Sequence, residues 1–195
     1  MNKKIANLSL PLFFIWPLGG FICTFYNIKS KLSGLIFILF CMVFGYSFSF
    51  TDTTADSYRI AYVFSRFDYS SFEELISTYR NGQMPDLYRF ILYNFTKLFS
   101  VNPKVLFALA GFGFGITCYK GIRLFIKEKG EQTNLYILIL FVVFFSLNPI
   151  ANINGFRFWT ATWLAFISGF NFLFYNRDKW LIGLLITPLV HFSFL

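Results

Sequence analysis

The chain contains several stretches that are apolar and almost free of charge over lengths that suit a membrane-spanning helix. A bilayer core about 30 Å thick needs roughly 20 apolar residues in an α-helix. Five segments approach that length, and they are residues 8–26, 32–50, 103–125, 134–147 and 156–175. A sixth begins at Trp180 and is still apolar at Leu195, which predicts a fragment of a longer protein.

The overall composition agrees with these segments. Hydrophobic residues make up 56% of the chain and charged residues 13%, whereas soluble domains average about 25% charged. So little charge cannot cover a water-facing surface, and a disordered chain would need high charge and low hydrophobicity. The sequence therefore predicts an all-α, polytopic membrane bundle of five to six transmembrane helices plus short interfacial helices, in a single domain over residues 1–195.

Residues 51–102 form a polar segment between the second and third spans. Ser71 and Glu74 have the spacing of a capping box, and Asn81-Gly82 indicates the end of a short helix. A second helix is amphipathic, with its apolar face at Leu87, Phe90, Ile91, Phe95 and Leu98. The segment is therefore predicted to be an outer-face loop with interfacial helices.

The basic residues of the short loops predict the orientation. They are Lys29, Lys31, Lys120, Arg123, Lys127, Lys129, Arg177 and Lys179, against Glu128, Glu131 and Asp178. Cytoplasmic loops collect Lys and Arg, so alternating spans place these loops in the cytoplasm. The N-terminus then lies outside, in spite of Lys3 and Lys4, and the protein is a multi-pass component of the cytoplasmic (inner) membrane.

With this orientation, residues 51–102, Arg157 and His191 all lie at the outer face of the membrane. Arg157 begins a stripe of small residues, Ala161, Ala165 and Gly169, which is typical of a face that packs inside a bundle. We therefore expect Arg157 to point inward and to have a functional role. The alternative is an arginine that extends to the lipid headgroups.

His191, the single histidine, follows Gly183 and Thr187 on one face of the sixth span. It suits a general base or a donor to phosphate, and the alternative is a hydrogen-bonded packing residue. Asp56 and Arg59 would share a helix face, and Asp86 and Arg89 repeat that spacing.

Four motifs together resemble a known family. They are Asp56-x-Tyr58, Pro85-Asp86, Asn152-x-x-Gly155-Phe156-Arg157 and His191-x-Ser193. This layout resembles the EpsG-type family of bacterial exopolysaccharide and O-antigen (Wzy-like) polymerases, which are multi-span membrane glycosyltransferases.

The resemblance implies an activity and a set of roles. The enzyme would join oligosaccharide repeat units carried on undecaprenyl diphosphate at the outer face of the inner membrane, without metal or cofactor. Its catalytic residues would be Arg157, holding the diphosphate, with Asp56 or His191 as general base; the choice between these two stays open. Substrate-binding residues would be Tyr58, Arg59, Asp86, Arg89 and Asn154. A flippase and a chain-length regulator are the expected protein partners, besides the lipid-linked substrate and the bilayer, and nucleic acid is not expected.

Two other functions remain open at this point. A transporter or flippase of lipid-linked precursors would also place an arginine in an aqueous cavity, although such proteins often contain internal repeats, which the sequence lacks. A polytopic acyltransferase with a catalytic His191 would need an acyl-donor site on the cytoplasmic side.

Overall fold

The computed structural model describes residues 3–25, 28–66, 71–81, 86–128 and 155–194. Throughout these residues the secondary structure is helical, and no β-strand is present. The predicted all-α class is confirmed for this part of the chain. The predicted span over residues 134–147, the turn over 149–154 and Asn154 lie outside the described residues.

Nine α-helices and two short 3-10 turns make up the described ranges. The helices are α1 (Lys3–Ile15), α2 (Pro17–Thr24), α3 (Lys31–Tyr46), α4 (Asp56–Arg66), α5 (Phe72–Arg80), α6 (Leu87–Lys97), α7 (Pro103–Glu128), α8 (Phe156–Tyr175) and α9 (Leu181–Val190). The 3-10 turns are Asp178–Trp180, before α9, and Phe192–Phe194, after it.

The first predicted span is broken into two helices. Trp16 has an extended backbone (φ −144°, ψ 90°), and Pro17, which cannot donate a helical hydrogen bond, begins α2. A Cβ atom at Gly20 would lie 2.6 Å from the Phe13 Cα atom, so α2 folds back closely against α1. The two helices have 13 and 8 residues, or about 20 and 12 Å. The prediction of one span over residues 8–26 is therefore wrong.

Helices α3 and α7 form the centre of the bundle and run antiparallel. Gly45 faces the Phe107 carbonyl group, Gly111 faces the Cys41 carbonyl group, and further along a Cβ atom at Gly34 would lie 2.5 Å from the Tyr119 ring. Such contacts leave no room for a side chain, so the two backbones approach closely. The spacing of Gly111-x-x-x-Gly115 in the sequence predicts such helix packing, and these contacts confirm it.

Helices α8 and α9 form an antiparallel pair beside α7. Helix α8 has the predicted bounds, and it ends at Asn176 in the left-handed conformation (φ 49°). Gly183 of α9 packs against Ser168 of α8, and Thr187 is buried one turn later. Helix α9 ends at Val190 because His191 is extended (φ −152°, ψ 126°), well before the apolar stretch ends.

The polar segment contains the predicted local structures. The Ser71 N–H group donates to Glu74 Oε2 (3.1 Å) and the Glu74 N–H group donates to Ser71 Oγ (3.3 Å), so the capping box before α5 is confirmed. Asn102 Oδ1 accepts from the Lys104 N–H group (2.9 Å) at the start of α7.

Helix α6 is amphipathic as predicted, but it packs on the protein through a different face. Leu92, Tyr93 and Thr96 are buried against the bundle. Ile91, Phe95 and Leu98, from the predicted apolar face, remain about half exposed or more.

One of the described helices has the length and apolar composition of a membrane span, and this is the 24-residue stretch Pro103–Ile126. Helix α3 is apolar but has only 16 residues. Helix α8 has 20 residues, but Thr, Trp and Asn side chains make it less apolar. Of the five to six predicted spans, the structure supports this one.

The antiparallel arrangement gives the bundle two different ends. We define the polar end by Asp86, Arg157 and His191; α8 starts there, and α3 and α9 terminate there. We define the opposite, basic end by Lys29, Lys120 and Arg123; α3 starts there, and α7 and α8 terminate there.

Candidate functional site

A buried ion pair joins α6 and α8 at the polar end. Asp86, the residue before α6, accepts a hydrogen bond at Oδ2 from Arg157 Nη1. The Asp86 side chain is fully buried, and 18% of the Arg157 side chain is exposed. Arg157 therefore points into the bundle, because its partner Asp86 is buried there.

Asp86 also anchors the chain that follows α9. Its second oxygen, Oδ1, accepts from the Phe192 backbone N–H group at 3.2 Å. Each carboxylate oxygen thus has a donor, which a buried charge requires. Three elements that are far apart in sequence meet at this single carboxylate: the starts of α6 and α8, and the turn after α9.

Arg157 has more hydrogen-bond donors than its ion pair uses. A guanidinium group carries five N–H bonds, and among the described residues Asp86 is the partner that Arg157 contacts. Within the described part of the chain, the other N–H groups of Arg157 thus have a fixed position and no second partner. Ala161, one turn along α8, is completely buried, so the start of the small-residue stripe faces the bundle.

His191 lies immediately after α9, next to this ion pair. Its Nδ1 atom accepts a hydrogen bond from the Ser193 N–H group at 3.2 Å. In a neutral imidazole the other nitrogen then carries the proton, so Nε2 is a donor. The ring stacks on Phe192 (4.8 Å between centroids) and meets the edge of Phe158 (5.5 Å). The next residue, Phe192, donates its backbone N–H group to Asp86, which keeps the ring close to the ion pair.

Helix α4 presents Asp56 at its first turn. The Asp56 side chain is 40% exposed and lies 3.5 Å from Arg59, which is 69% exposed, as the spacing predicted. Such an exposed pair stabilises the fold by about 1 kcal/mol or less. Asp56 is therefore a carboxylate that a ligand can reach. Asp52 differs, since the Thr54 hydroxyl and N–H groups donate to it and lower the pKa of its carboxyl group.

Tyr58 and Tyr62 form an aromatic row on the same helix. Their rings are nearly parallel (19°) with centroids 6.3 Å apart, and the Arg66 guanidinium group lies 4.2 Å from the Tyr62 centroid. Tyr62 is 44% exposed. This row is a flat surface that begins beside Asp56.

Arg89 occupies a different position from the one its spacing indicated. The sequence pairs it with Asp86, but Arg157 takes that carboxylate, and Arg89 instead lies 5.1 Å from the centroid of the Tyr93 ring. The Arg89 Nε atom is buried without a hydrogen-bond partner among the described residues. The long-range ion pair is favoured because Asp86 faces the bundle, whereas Arg89 lies along α6.

The sequence analysis missed Tyr93, which links the two parts of the site. Tyr93 is fully buried, and its hydroxyl group donates to the Ile60 carbonyl oxygen of α4 (3.3 Å). A tyrosine four residues after an arginine on one helix face was the available signal.

The structure thus brings Asp56, Asp86, Arg89, Arg157 and His191 to one end of the bundle. Arg59 is exposed on the outside of α4, and Tyr58 is partly buried beside it. Asn154 falls outside the described residues, although Gly155 and Phe156 of the same motif begin α8 there. In the described ranges, no group of three His, Cys, Asp or Glu residues is placed to hold a metal ion.

Comparisons with known proteins give no assignment: no family model, curated protein or solved structure matches the chain. The function is therefore argued from the geometry of the polar end.

Proposed function

We propose that this chain belongs to a membrane glycosyltransferase that polymerises lipid-linked oligosaccharide repeat units into exopolysaccharide, capsule or O-antigen. The observation that carries the proposal is the Arg157 guanidinium group, which the buried Asp86 holds inward at the same end of the bundle as His191 and Asp56. The motifs that contain these residues are those that resemble the EpsG-type polymerases.

A bilayer location is supported by the apolar side chains that the described helices leave uncovered. Leu173 and Phe174 of α8 are 69% and 71% exposed, and Leu185 of α9 is 67% exposed. Monomeric soluble proteins rarely expose large contiguous apolar patches. With α7 as a full-length apolar helix, lipid is the surrounding medium that fits these surfaces.

The positive-inside rule then orients the bundle. Lys29, Lys120 and Arg123 mark the basic end, which we place in the cytoplasm. The polar end then faces the outside, where lipid-linked repeat units would be joined. Sequence analysis predicted an N-terminus outside. Because α2 folds back on α1, we propose instead that the N-terminus lies on the cytoplasmic side, where Lys3 and Lys4 agree with the rule.

In the proposed reaction, a hydroxyl group of one repeat unit attacks the anomeric carbon of the glycan carried by another lipid. The bond from that carbon to the diphosphate oxygen breaks, and the diphosphate gains negative charge as it leaves. Arg157 would bind this charge through its unused N–H groups in a water-poor site, where such stabilisation is strongest. Asp86 acts as a positioning residue, because its buried carboxylate keeps the guanidinium group in place.

The attacking hydroxyl group must lose a proton, and the hydrogen bonds favour Asp56 as its acceptor. The Ser193 N–H group already occupies the lone pair of His191 Nδ1, which leaves Nε2–H as a donor. Asp56 is partly exposed and its exposed partner Arg59 is displaced easily. His191 would then donate to a substrate oxygen, and the Tyr58–Tyr62 row would stack against sugar rings.

The test compares Arg157→Lys with Arg177→Lys in a strain that lacks its own copy of the protein. Lysine keeps the charge but loses the planar set of donors, so we expect polymer formation to fall by about 10²-fold. Single repeat units should then accumulate on the lipid at the outer face. Arg177→Lys, at the opposite end of α8, should leave polymer length unchanged.

Two results would decide against this proposal. Normal long polymer in the Arg157→Lys strain, with the protein present at its usual level, would remove the catalytic role of Arg157. Lipid-linked units trapped in the cytoplasmic leaflet would instead indicate a flippase.

A further inference from the structure

A cavity of about 770 Å³ opens at the basic end, between α3, α7 and α8. On the α8 axis, its lining residue Asn171 is 14 positions from Arg157, or about 21 Å. The cavity is therefore separate from the polar end. Its volume lies within the range of small-molecule sites, roughly 300–1,000 Å³.

The opening of the cavity is strongly basic. Lys29, Lys120 and Arg123 line it, and all three side chains are exposed. None of the three forms an ion pair within the described residues, and Arg123 instead lies 5.8 Å from the centroid of the Tyr119 ring. Three cations without an ion-pair partner in the described part of the chain favour an anionic ligand at this cavity.

The interior of the cavity is apolar. Ile38 of α3, together with Ile116 and Leu124 of α7, supplies hydrocarbon surface. Trp180, in the turn before α9, also lines the cavity, and its buried indole N–H group has no hydrogen-bond partner among the described residues. Because this nitrogen is buried, the indole contributes its apolar ring to the wall of the cavity.

We propose that this cavity binds the phosphate-bearing headgroup of an anionic phospholipid from the cytoplasmic leaflet. The headgroup phosphate contacts Lys29, Lys120 and Arg123, and the acyl chains follow the apolar wall. The charge of the opening favours an anion, and the apolar interior favours a lipid over free phosphate. The proposal rests on a bilayer location and not on glycosyl transfer.

The experiment measures lipids retained by the purified full chain. The protein is placed in nanodiscs that contain phosphatidylglycerol, phosphatidylcholine or both, and is then released for native mass spectrometry. We expect retained phosphatidylglycerol in clear preference to phosphatidylcholine, and millimolar inorganic phosphate should not displace it.

Matched variants locate the binding site. Each cation removed from the cavity should weaken retention by roughly fivefold, so Lys120→Gln with Arg123→Gln should weaken it by about 25-fold. The control combines Lys31→Gln and Lys179→Gln, two exposed basic-end residues outside the cavity lining, and should have little effect.

Three outcomes would overturn the proposal. Equal loss in the control and cavity variants would show non-specific surface attraction, and equal retention of both lipids would show no anionic site. Displacement by inorganic phosphate would show a site for the free ion. Melting temperatures of all variants confirm that each is folded, and polymer formation, measured separately, tests the proposed function on its own.

Discussion

At the scale of single residues, the Asp86–Arg157 pair determines the structure of the polar end. The carboxylate is completely buried, whereas the guanidinium group is partly exposed. Removing one residue of the pair should therefore cost a different free energy from removing the other, because Arg157 can reach water without its partner and Asp86 cannot.

We expect this inequality to appear in a double-mutant cycle. Arg157→Gln leaves a buried carboxylate without its partner and should destabilise the protein by about 3–5 kcal/mol. Asp86→Asn should cost less, about 1–3 kcal/mol, and the double variant should cost less than the sum of the two. Denaturant unfolding in detergent measures all three, and additive effects would contradict a direct pair.

A second prediction concerns the tautomer of His191. The Ser193 N–H group donates to Nδ1, so a neutral ring should carry its proton on Nε2. Nitrogen NMR of histidine-labelled protein at alkaline pH should show that tautomer. A proton on Nδ1 would show that the Ser193 hydrogen bond is absent.

The same hydrogen bond predicts which substitution of His191 should preserve more polymer formation. The Gln amide places an N–H donor near the position of Nε2, whereas the shorter Asn amide reaches only the position of Nδ1. His191→Gln should therefore preserve more polymer formation than His191→Asn. The reverse order would contradict a donor role for Nε2.

At the scale of helices, close backbone contacts hold α3 against α7. Gly111 faces the Cys41 carbonyl group, so Gly111→Ala must push the two helices apart, at a cost of about 1–3 kcal/mol. At Gly169 the atom nearest to an added Cβ is 3.9 Å away. Gly169→Ala should instead stabilise α8, by about 0.5–1 kcal/mol.

Thermal unfolding in detergent measures the opposite stability changes expected for Gly111→Ala and Gly169→Ala. The two variants make the same chemical change in helices of the same bundle, so each is the control for the other. Similar changes in melting temperature for both would contradict the packing of α3 on α7.

At the scale of the whole molecule, the α1–α2 hairpin determines the end of the bundle at which α1 begins. A continuous span over residues 8–26 would place the N-terminus opposite the basic loops. The fold-back at Trp16 and Pro17 returns it to their side. Lys3 and Lys4 then belong to the basic end of the bundle, together with the basic loops.

Thiol labelling in intact cells measures this topology. The background has Cys23, Cys41 and Cys118 replaced by Ala, and each test variant adds one cysteine. We expect Asp52→Cys to react with a membrane-impermeant reagent from outside, and Lys3→Cys and Lys179→Cys to react only after permeabilisation. Labelling of Lys3→Cys from outside would contradict the hairpin topology.

The sequence alone determined those features that depend on neighbouring residues. The capping box at Ser71 and Glu74, the Asn102 cap of α7 and the bounds of α8 were all predictable. In each case a side chain meets the backbone within one helical turn, or a long apolar run ends at polar residues. The packing role of Gly111 was predictable because small residues spaced by four lie on one helix face.

The tertiary structure alone decided which distant residues meet. Asp86 and Arg157 are 71 residues apart, and nothing near Asp86 in the sequence distinguishes Arg157 from Arg89, its neighbour on α6. The fold-back of α2 was hidden in part: Pro17 marks a point where a helix can break, but hydropathy does not record whether the chain continues or reverses there. Local signals determine which helices form, whereas ion pairs and reversals depend on how those helices pack against each other.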